Sequence, residues 1–229
     1  MRIHWLQHVP FEGLGCMSEW FLSRGHELTC TRLFEKPSLP VTKDFDWLVV
    51  MGGPMGVGDS SKFPWLIPEM DLIRSVIKNG KKIIGVCLGA QLMAAAMGAK
   101  VGKNPHKEIG WLPVNQTGEV NTFFAKNLPK TFDALHWHGD TFDIPQGAEN
   151  LLSSEATANQ GFCVGRSALA LQFHLELRVS DATRIAEACP DDLTPGTYVQ
   201  QPEEFTTKKD LFAKANKLME HFLETLEKS

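Results

Sequence analysis

The chain lacks the features that would place it in a membrane, on nucleic acid or in a disulfide-built scaffold. No apolar run approaches the roughly 20 residues that a membrane span needs. The first residues, Met1-Arg2-Ile3-His4-Trp5-Leu6-Gln7-His8, hold no signal-peptide core. No block of Lys or Arg accompanies the net charge of -4, so neither nucleic acid nor an anionic membrane is an expected partner. The five cysteines (Cys16, Cys30, Cys87, Cys163, Cys189) are odd in number, widely spaced and without a CxxC pair. That excludes a disulfide framework as the organising principle and points to a reducing, cytoplasmic setting. There is no G-x-x-x-x-G-K-[ST] sequence, and Gly56-Val57-Gly58 is too slight to serve as a nucleotide loop. No cofactor is implied, and no internal repeat or low-complexity tract is present.

What remains is a chain of 229 residues, 43% of them apolar. That is enough to bury one sizeable core. Short apolar runs alternate with helical periodicity. Strands are expected at Arg2 to Leu6, His26 to Phe34, Asp46 to Met51 and Lys82 to Val86. Helices are expected at Leu14 to Leu22, Trp65 to Lys78 and Leu88 to Met97. Strand–helix alternation of this kind builds a mostly parallel sheet with helices on both faces, its strand C-termini along one edge. The section from Val101 to Ala168 is less regular. Within it Trp111 to Val114 and Ala134 to Trp137 read as short strands of a more antiparallel region. Ala168 to Phe173 is a late strand. Helices are expected at Ser180 to Ala188 and from about Lys208, the latter with Thr207 and Asp210 at capping-box spacing. Leu211, Ala215, Leu218, Phe222 and Leu226 form an apolar stripe expected to pack on the body. We expect a single domain over 1–229, with a core of about 1–190 and a C-terminal helical extension of about 203–229.

Gly85-Val86-Cys87-Leu88-Gly89-Ala90-Gln91 carries the chemistry. A cysteine between small residues, where a strand turns into a helix, is placed as a nucleophile. The sharp turn exposes its sulfur and the helix N-terminus favours the thiolate. The backbone N–H of Leu88 can face a developing oxyanion. At the end of the late strand, Phe173-His174-Leu175-Glu176 puts His174 and Glu176 on one side of an extended segment. Cys, His and Glu together point to acyl transfer through a thioester. His136 and His138 alternate onto one face as well. No carboxylate or cysteine stands at a suitable spacing beside them, so no metal site is expected.

The set from Gly85 to Gln91, with Gln172-Phe173-His174-Leu175-Glu176, resembles class I (triad-type) glutamine amidotransferase domains. Gly52-Gly53-Pro54 is similar to the family's loop before the nucleophile strand. His138-Gly139-Asp140 resembles a segment of the amidotransferase part of GMP synthetase. The resemblance spans roughly residues 45 to 177. It implies a flavodoxin-like sheet and hydrolysis of a glutamine side-chain amide. It assigns Cys87, His174 and Glu176 to catalysis and the N–H groups of Gly53 and Leu88 to the oxyanion hole. Gln91, Gly139 and Asp140 would hold the substrate, which is glutamine or a γ-glutamyl small molecule. Family members commonly feed ammonia to a synthetase domain. No ATP-binding motif occurs here. The expectation is therefore transfer to a separate synthetase subunit, or stand-alone hydrolysis of glutamine or of γ-glutamyl peptides.

Overall fold

A computed structural model of the chain describes residues 1–117, 123–126 and 128–229. Strands β1 (Arg2–Gln7), β2 (Glu27–Arg32), β3 (Trp47–Val50), β4 (Lys82–Val86), β5 (Val101–Gln116), β6 (Thr131–Phe142), β7 (Glu149–Ser153), β8 (Gly161–Val164) and β9 (Ala168–Leu171) form one sheet. Its order among the described residues is β2-β1-β3-β4-β9-β8-β7-β5-β6. From β2 to β9 the ladders are parallel, and beyond β9 they are antiparallel. The helices are α1 (Cys16–Ser23), α2 (Leu66–Lys78), α3 (Leu88–Ala96), α4 (Val179–Ala188), α5 (Pro202–Phe205) and α6 (Lys209–Glu227). This is the flavodoxin-like α/β arrangement expected from the sequence.

Residue alternation explains the layering. In β3, Trp47 and Val49 enter the core beneath α1, α4 and α6, while Leu48 and Val50 enter the core beneath α2 and α3. A parallel strand covered on both faces has no polar side to show, which is why this segment reads as one unbroken apolar run. The edge strand β2 is largely exposed.

The antiparallel half departs from expectation. β5 and β6 run well beyond the short stretches anticipated, and β7 and β8 were not anticipated at all. Polar residues of β5, from Lys103 to Glu108, break the alternation because the β5–β6 register shifts between Lys103 and Glu108. β7 and β8 are only five and four residues long, too short for periodicity to mark them. β9 stops at Leu171, so His174 rides on a bent segment rather than on the strand itself.

The C-terminal helix packs on the body as expected, with its face slightly rotated. Ala215, Phe222 and Leu226 are buried together with Phe212, Met219 and Leu223, while Leu211 and Leu218 lie at the margin. The capping box is not formed. Thr207 lies just past α5, and its hydroxyl donates to the Glu203 carbonyl at 3.0 Å, which leaves Lys208 as an N-cap without a side-chain bond. Asn216 of α6 donates to the carbonyls of Leu175 (2.8 Å) and Leu177 (3.0 Å), the neighbours of Glu176. We expect Asn216→Ala to lower stability by about 1–3 kcal/mol in urea unfolding, because two buried carbonyls lose their donor. A change within the measurement error would show that α6 does not support this segment.

Candidate active site

Val86 ends β4 and Leu88 begins α3, so the whole change of direction falls on Cys87. Its backbone is at φ 53°, ψ -108°, the single non-glycine residue with positive φ among those described. Such a conformation costs about 1–3 kcal/mol and persists where its surroundings fix it. Here both neighbouring strands do so. The Cys87 N–H donates to Leu171 of β9 at 2.8 Å. On the other side α3 lies so close to β3 that a Cβ on Gly89 would stand 2.1 Å from the Val50 carbonyl oxygen. The thiol is left facing a cavity, with its sulfur 3.5 Å from the Trp137 carbonyl oxygen.

His174 reaches the same cavity from the segment that follows β9. Paired bonds to Leu135 of β6 fix its backbone: His174 N–H to Leu135 O at 2.8 Å and Leu135 N–H to His174 O at 3.3 Å. Its Nδ1 lies 2.7 Å from Glu176 Oε1, with both side chains buried. The second Glu176 oxygen accepts the Leu175 N–H at 3.0 Å. This pairing leaves Nε2 for Cys87. Burial disfavours the imidazolium, but the charge of Glu176 and the bonding neighbours Cys87 and Glu176 outweigh it. The His174 pKa therefore lies well above its ordinary range.

Gly53, Gln91, Gly139 and Asp140 line this cavity together with Cys87 and His174. Leu88 and Glu176 stand just behind it. Leu88 is the first residue of α3, where a backbone N–H has no acceptor within the helix. Its side chain lies 3.3 Å from where a Cβ on Gly53 would be, so the two proposed oxyanion donors are neighbours. Gln91 donates to Gln172 Oε1 at 3.2 Å and is anchored by it.

Sequence reading missed several wall residues. Glu12 enters from the loop after β1 and presses against Gly52, where a Cβ would stand 2.3 Å from its Oε2. Burial pushes the Glu12 carboxyl up, and Glu176 adds to this against the pull of His174 and His8. Lys103 and Lys107 line the cavity as well. Lys103 pairs with Asp140 at 2.7 Å and Lys107 with Asp192 at 3.3 Å. None of these sits in a motif, and only their shared cavity identifies them. The Gly52-Gly53 loop is itself held from behind. His8, fully buried, makes contact with the Gly52 carbonyl oxygen through Nδ1 (3.1 Å) and with Glu69 through Nε2 (2.9 Å). Burial opposes the His8 charge, but Glu69 outweighs it and the His8 pKa is raised.

Behind Trp137 the structure supplies the carboxylate that the spacing of His136 and His138 did not. Glu108 lies across the β5–β6 ladder, directly opposite His138. Glu108, His136 and His138 are all buried and their donor atoms converge.

A family model described as "Glutamine amidotransferase class-I" matches residues 18–188. The chain is 32% identical to the glutamine amidotransferase-like protein YfeJ of Salmonella typhimurium over 185 residues, 78% of this chain and 77% of that protein. It is 39% identical to a glutamine-hydrolyzing GMP synthase of Campylobacter lari over 104 residues, 43% of this chain and 19% of that one. The crystal structure of a glutamine amidotransferase from Thermotoga maritima superposes with a TM-score of 0.88 at 32% identity, covering 100% of this chain and 99% of that one.

The His8–Glu69 pair has a measurable signature. His8 holds its proton more tightly folded than unfolded. Its stabilisation is therefore complete below the unfolded value of about 6.5 and is lost as pH rises through the folded value. We expect His8→Asn to lower Tm clearly at about pH 6 and less at about pH 9. An equal loss at both values would contradict the charged pair.

Proposed function

The chain belongs to the class I glutamine amidotransferase family, and we propose that it hydrolyses a γ-glutamyl amide through a thioester on Cys87. The observation that carries this reading is the convergence of Cys87 and His174 on one cavity, with Glu176 bonded to His174 from behind. His174, oriented by Glu176, takes the thiol proton and leaves a thiolate on Cys87. The thiolate attacks the amide carbon, and the oxyanion forms between the N–H groups of Gly53 and Leu88. Loss of one such donor costs about 3 kcal/mol of barrier. His174 then gives its proton to the leaving nitrogen, the C–N bond breaks and ammonia or an amine departs. Water, deprotonated by His174, cleaves the thioester, releases the γ-carboxylate product and restores the thiol.

The cavity supplies charges for the amino-acid end of the substrate. Glu12 is a buried acid beside Cys87 and fits an α-ammonium group. Lys103 and Lys107 fit an α-carboxylate, with Gln91 and the backbone around Gly139 and Asp140 completing the cradle. The two lysines also favour a second reading. A γ-glutamyl peptide brings a further carboxylate to this rim, so peptide hydrolysis by the chain alone competes with glutamine hydrolysis. Kinship with part of a GMP synthase supports a third arrangement, in which ammonia passes to a separate synthetase subunit. All five cysteines are free, which supports a cytoplasmic setting, and no helix among the described residues is long and apolar enough to cross a membrane.

Glutamine, γ-glutamyl dipeptides and glutathione should be incubated with wild-type protein, and glutamate and ammonia measured. Turnover of at least one is expected, with Cys87→Ala lowering it by at least about 10³-fold. Ammonia with glutamate marks glutamine hydrolysis, whereas glutamate with a free amino acid or dipeptide marks peptide hydrolysis. Turnover that survives Cys87→Ala would overturn the thioester route. Glu12→Gln is expected to raise KM by about ten- to a hundredfold with a smaller change in kcat, as loss of a charge-assisted contact to bound substrate requires. An unchanged KM would remove Glu12 from substrate recognition.

A further inference from the structure

The polar cluster behind the cavity is built in a way that hydrogen bonding alone does not explain. His136 Nδ1 and His138 Nε2 face each other at 3.5 Å. Glu108 closes the triangle, with Oε2 at 3.3 Å from His138 Nε2 and Oε1 at 3.9 Å from His136 Nδ1. Gln160, fully buried, stands over all three. Its Nε2 is 3.4 Å from each histidine nitrogen and 2.7 Å from Glu108 Oε2. A tetrahedral ion with bonds of about 2.0–2.1 Å to nitrogen and oxygen separates its ligand atoms by about 3.3–3.4 Å. These four side chains already stand near that spacing.

The protons point the same way. His138 Nδ1 lies 2.9 Å from the Asp140 carbonyl oxygen, so it must be the N–H that donates. In the neutral ring this turns the Nε2 lone pair toward Glu108. A backbone carbonyl on one ring nitrogen and a free lone pair on the other is the usual arrangement of a metal-binding histidine. His136 is fully buried, and its Nδ1 likewise faces the centre of the cluster, toward His138 Nε2 and Glu108. Gln160 Nε2 has two hydrogens but four acceptors within reach: Glu108, Ser154, His136 and His138. Its Oε1, by contrast, is buried with no partner among the described residues. Amide nitrogen and oxygen are assigned from their surroundings. Turned over, the amide would set its oxygen against the Glu108 carboxylate, which is repulsive unless a cation lies between them. Ser154 and Thr157 donate to Glu108 at 2.7 and 2.5 Å and orient its two oxygens from outside.

We propose that Glu108, His136, His138 and Gln160 form a closed site for one divalent transition-metal ion of the zinc type. Four protein ligands leave no open coordination position, so the ion would be structural. It would tie β5, β6 and the residue preceding β8 together directly behind Gly139 and Asp140, and so hold one wall of the cavity. The cluster would hold this ion whether or not Cys87 forms a thioester.

The test uses the full chain, produced without a histidine tag in zinc-supplemented medium and purified without chelator. Elemental analysis is expected to find close to one zinc per chain. Chelator-stripped protein should melt several degrees lower and recover when zinc is restored. Cobalt taken up by stripped wild-type protein should give the visible bands of a tetrahedral nitrogen and oxygen site, without a thiolate charge-transfer band. His136→Gln should lose the metal while Cys87→Ser keeps it. Wild-type protein that neither retains zinc nor takes up cobalt would overturn the proposal, whatever the behaviour of the variants. So would an ion retained by His136→Gln but lost from Cys87→Ser, because that ion sits on the thiol.

Discussion

Cys87 turns through a left-handed backbone conformation because two parallel strands leave it no easier path. β9 takes its N–H, β3 crowds the first turn of α3, and the chain must leave β4 at that point. The strain is local, but its support is spread through the sheet. The turn stays sharp only while β3, β4 and β9 remain in register. The rest of the site depends on this. A relaxed turn would draw the sulfur away from His174 and move the Leu88 N–H away from Gly53. That explains why residues remote from the chemistry, such as Val50 and Leu171, set its geometry.

A second requirement is that charge be buried without being orphaned. The cavity and the wall behind it hold several ionisable groups in the interior, and nearly all are answered by a bond. Glu176 meets His174 and the Leu175 N–H, His8 meets Glu69 and the Gly52 carbonyl, and Glu108 meets Ser154 and Thr157. Unpaired, each would cost several kcal/mol or would neutralise. Glu12 is a departure from this pattern: among the described residues its carboxylate accepts no hydrogen bond, and burial pushes its pKa up. A buried acid on the cavity wall with capacity to spare is suited to a cationic group that arrives with a substrate.

The part of this site that lies in continuous sequence could be read before the structure was in hand. Gly85 to Gln91 and Phe173 to Glu176 each combine a local conformation with a reactive side chain, so spacing alone conveys their placement. Leu88 follows from its place directly after Cys87, whereas Gly53 entered only through the resemblance of Gly52-Gly53-Pro54 to a family loop. Glu108 was not, because it reaches His138 across an antiparallel ladder whose register includes a shift that no local pattern records. Glu12, Lys103 and Lys107 were equally silent, since surface-like residues acquire meaning only from the cavity they share. The parallel half of the fold was legible through its buried apolar runs. The antiparallel half was legible only in part: Trp111 to Val114 and Ala134 to Trp137 marked the middles of β5 and β6, but not their length, and β7 and β8 are too short for periodicity to mark. The Thr207 capping box failed through competition, its hydroxyl having an acceptor one turn back in α5.

The central claim is that Cys87 is a nucleophile poised for a γ-glutamyl carbonyl, and covalent trapping tests it most directly. Wild-type protein should be treated with an electrophilic glutamine analogue that alkylates thiols, then digested and mapped by mass spectrometry. The account requires one adduct per chain, on Cys87, formed faster than on the other four cysteines and suppressed by His174→Ala. Labelling spread over Cys16, Cys30, Cys163 or Cys189, or labelling of Cys87 that does not depend on His174, would contradict it.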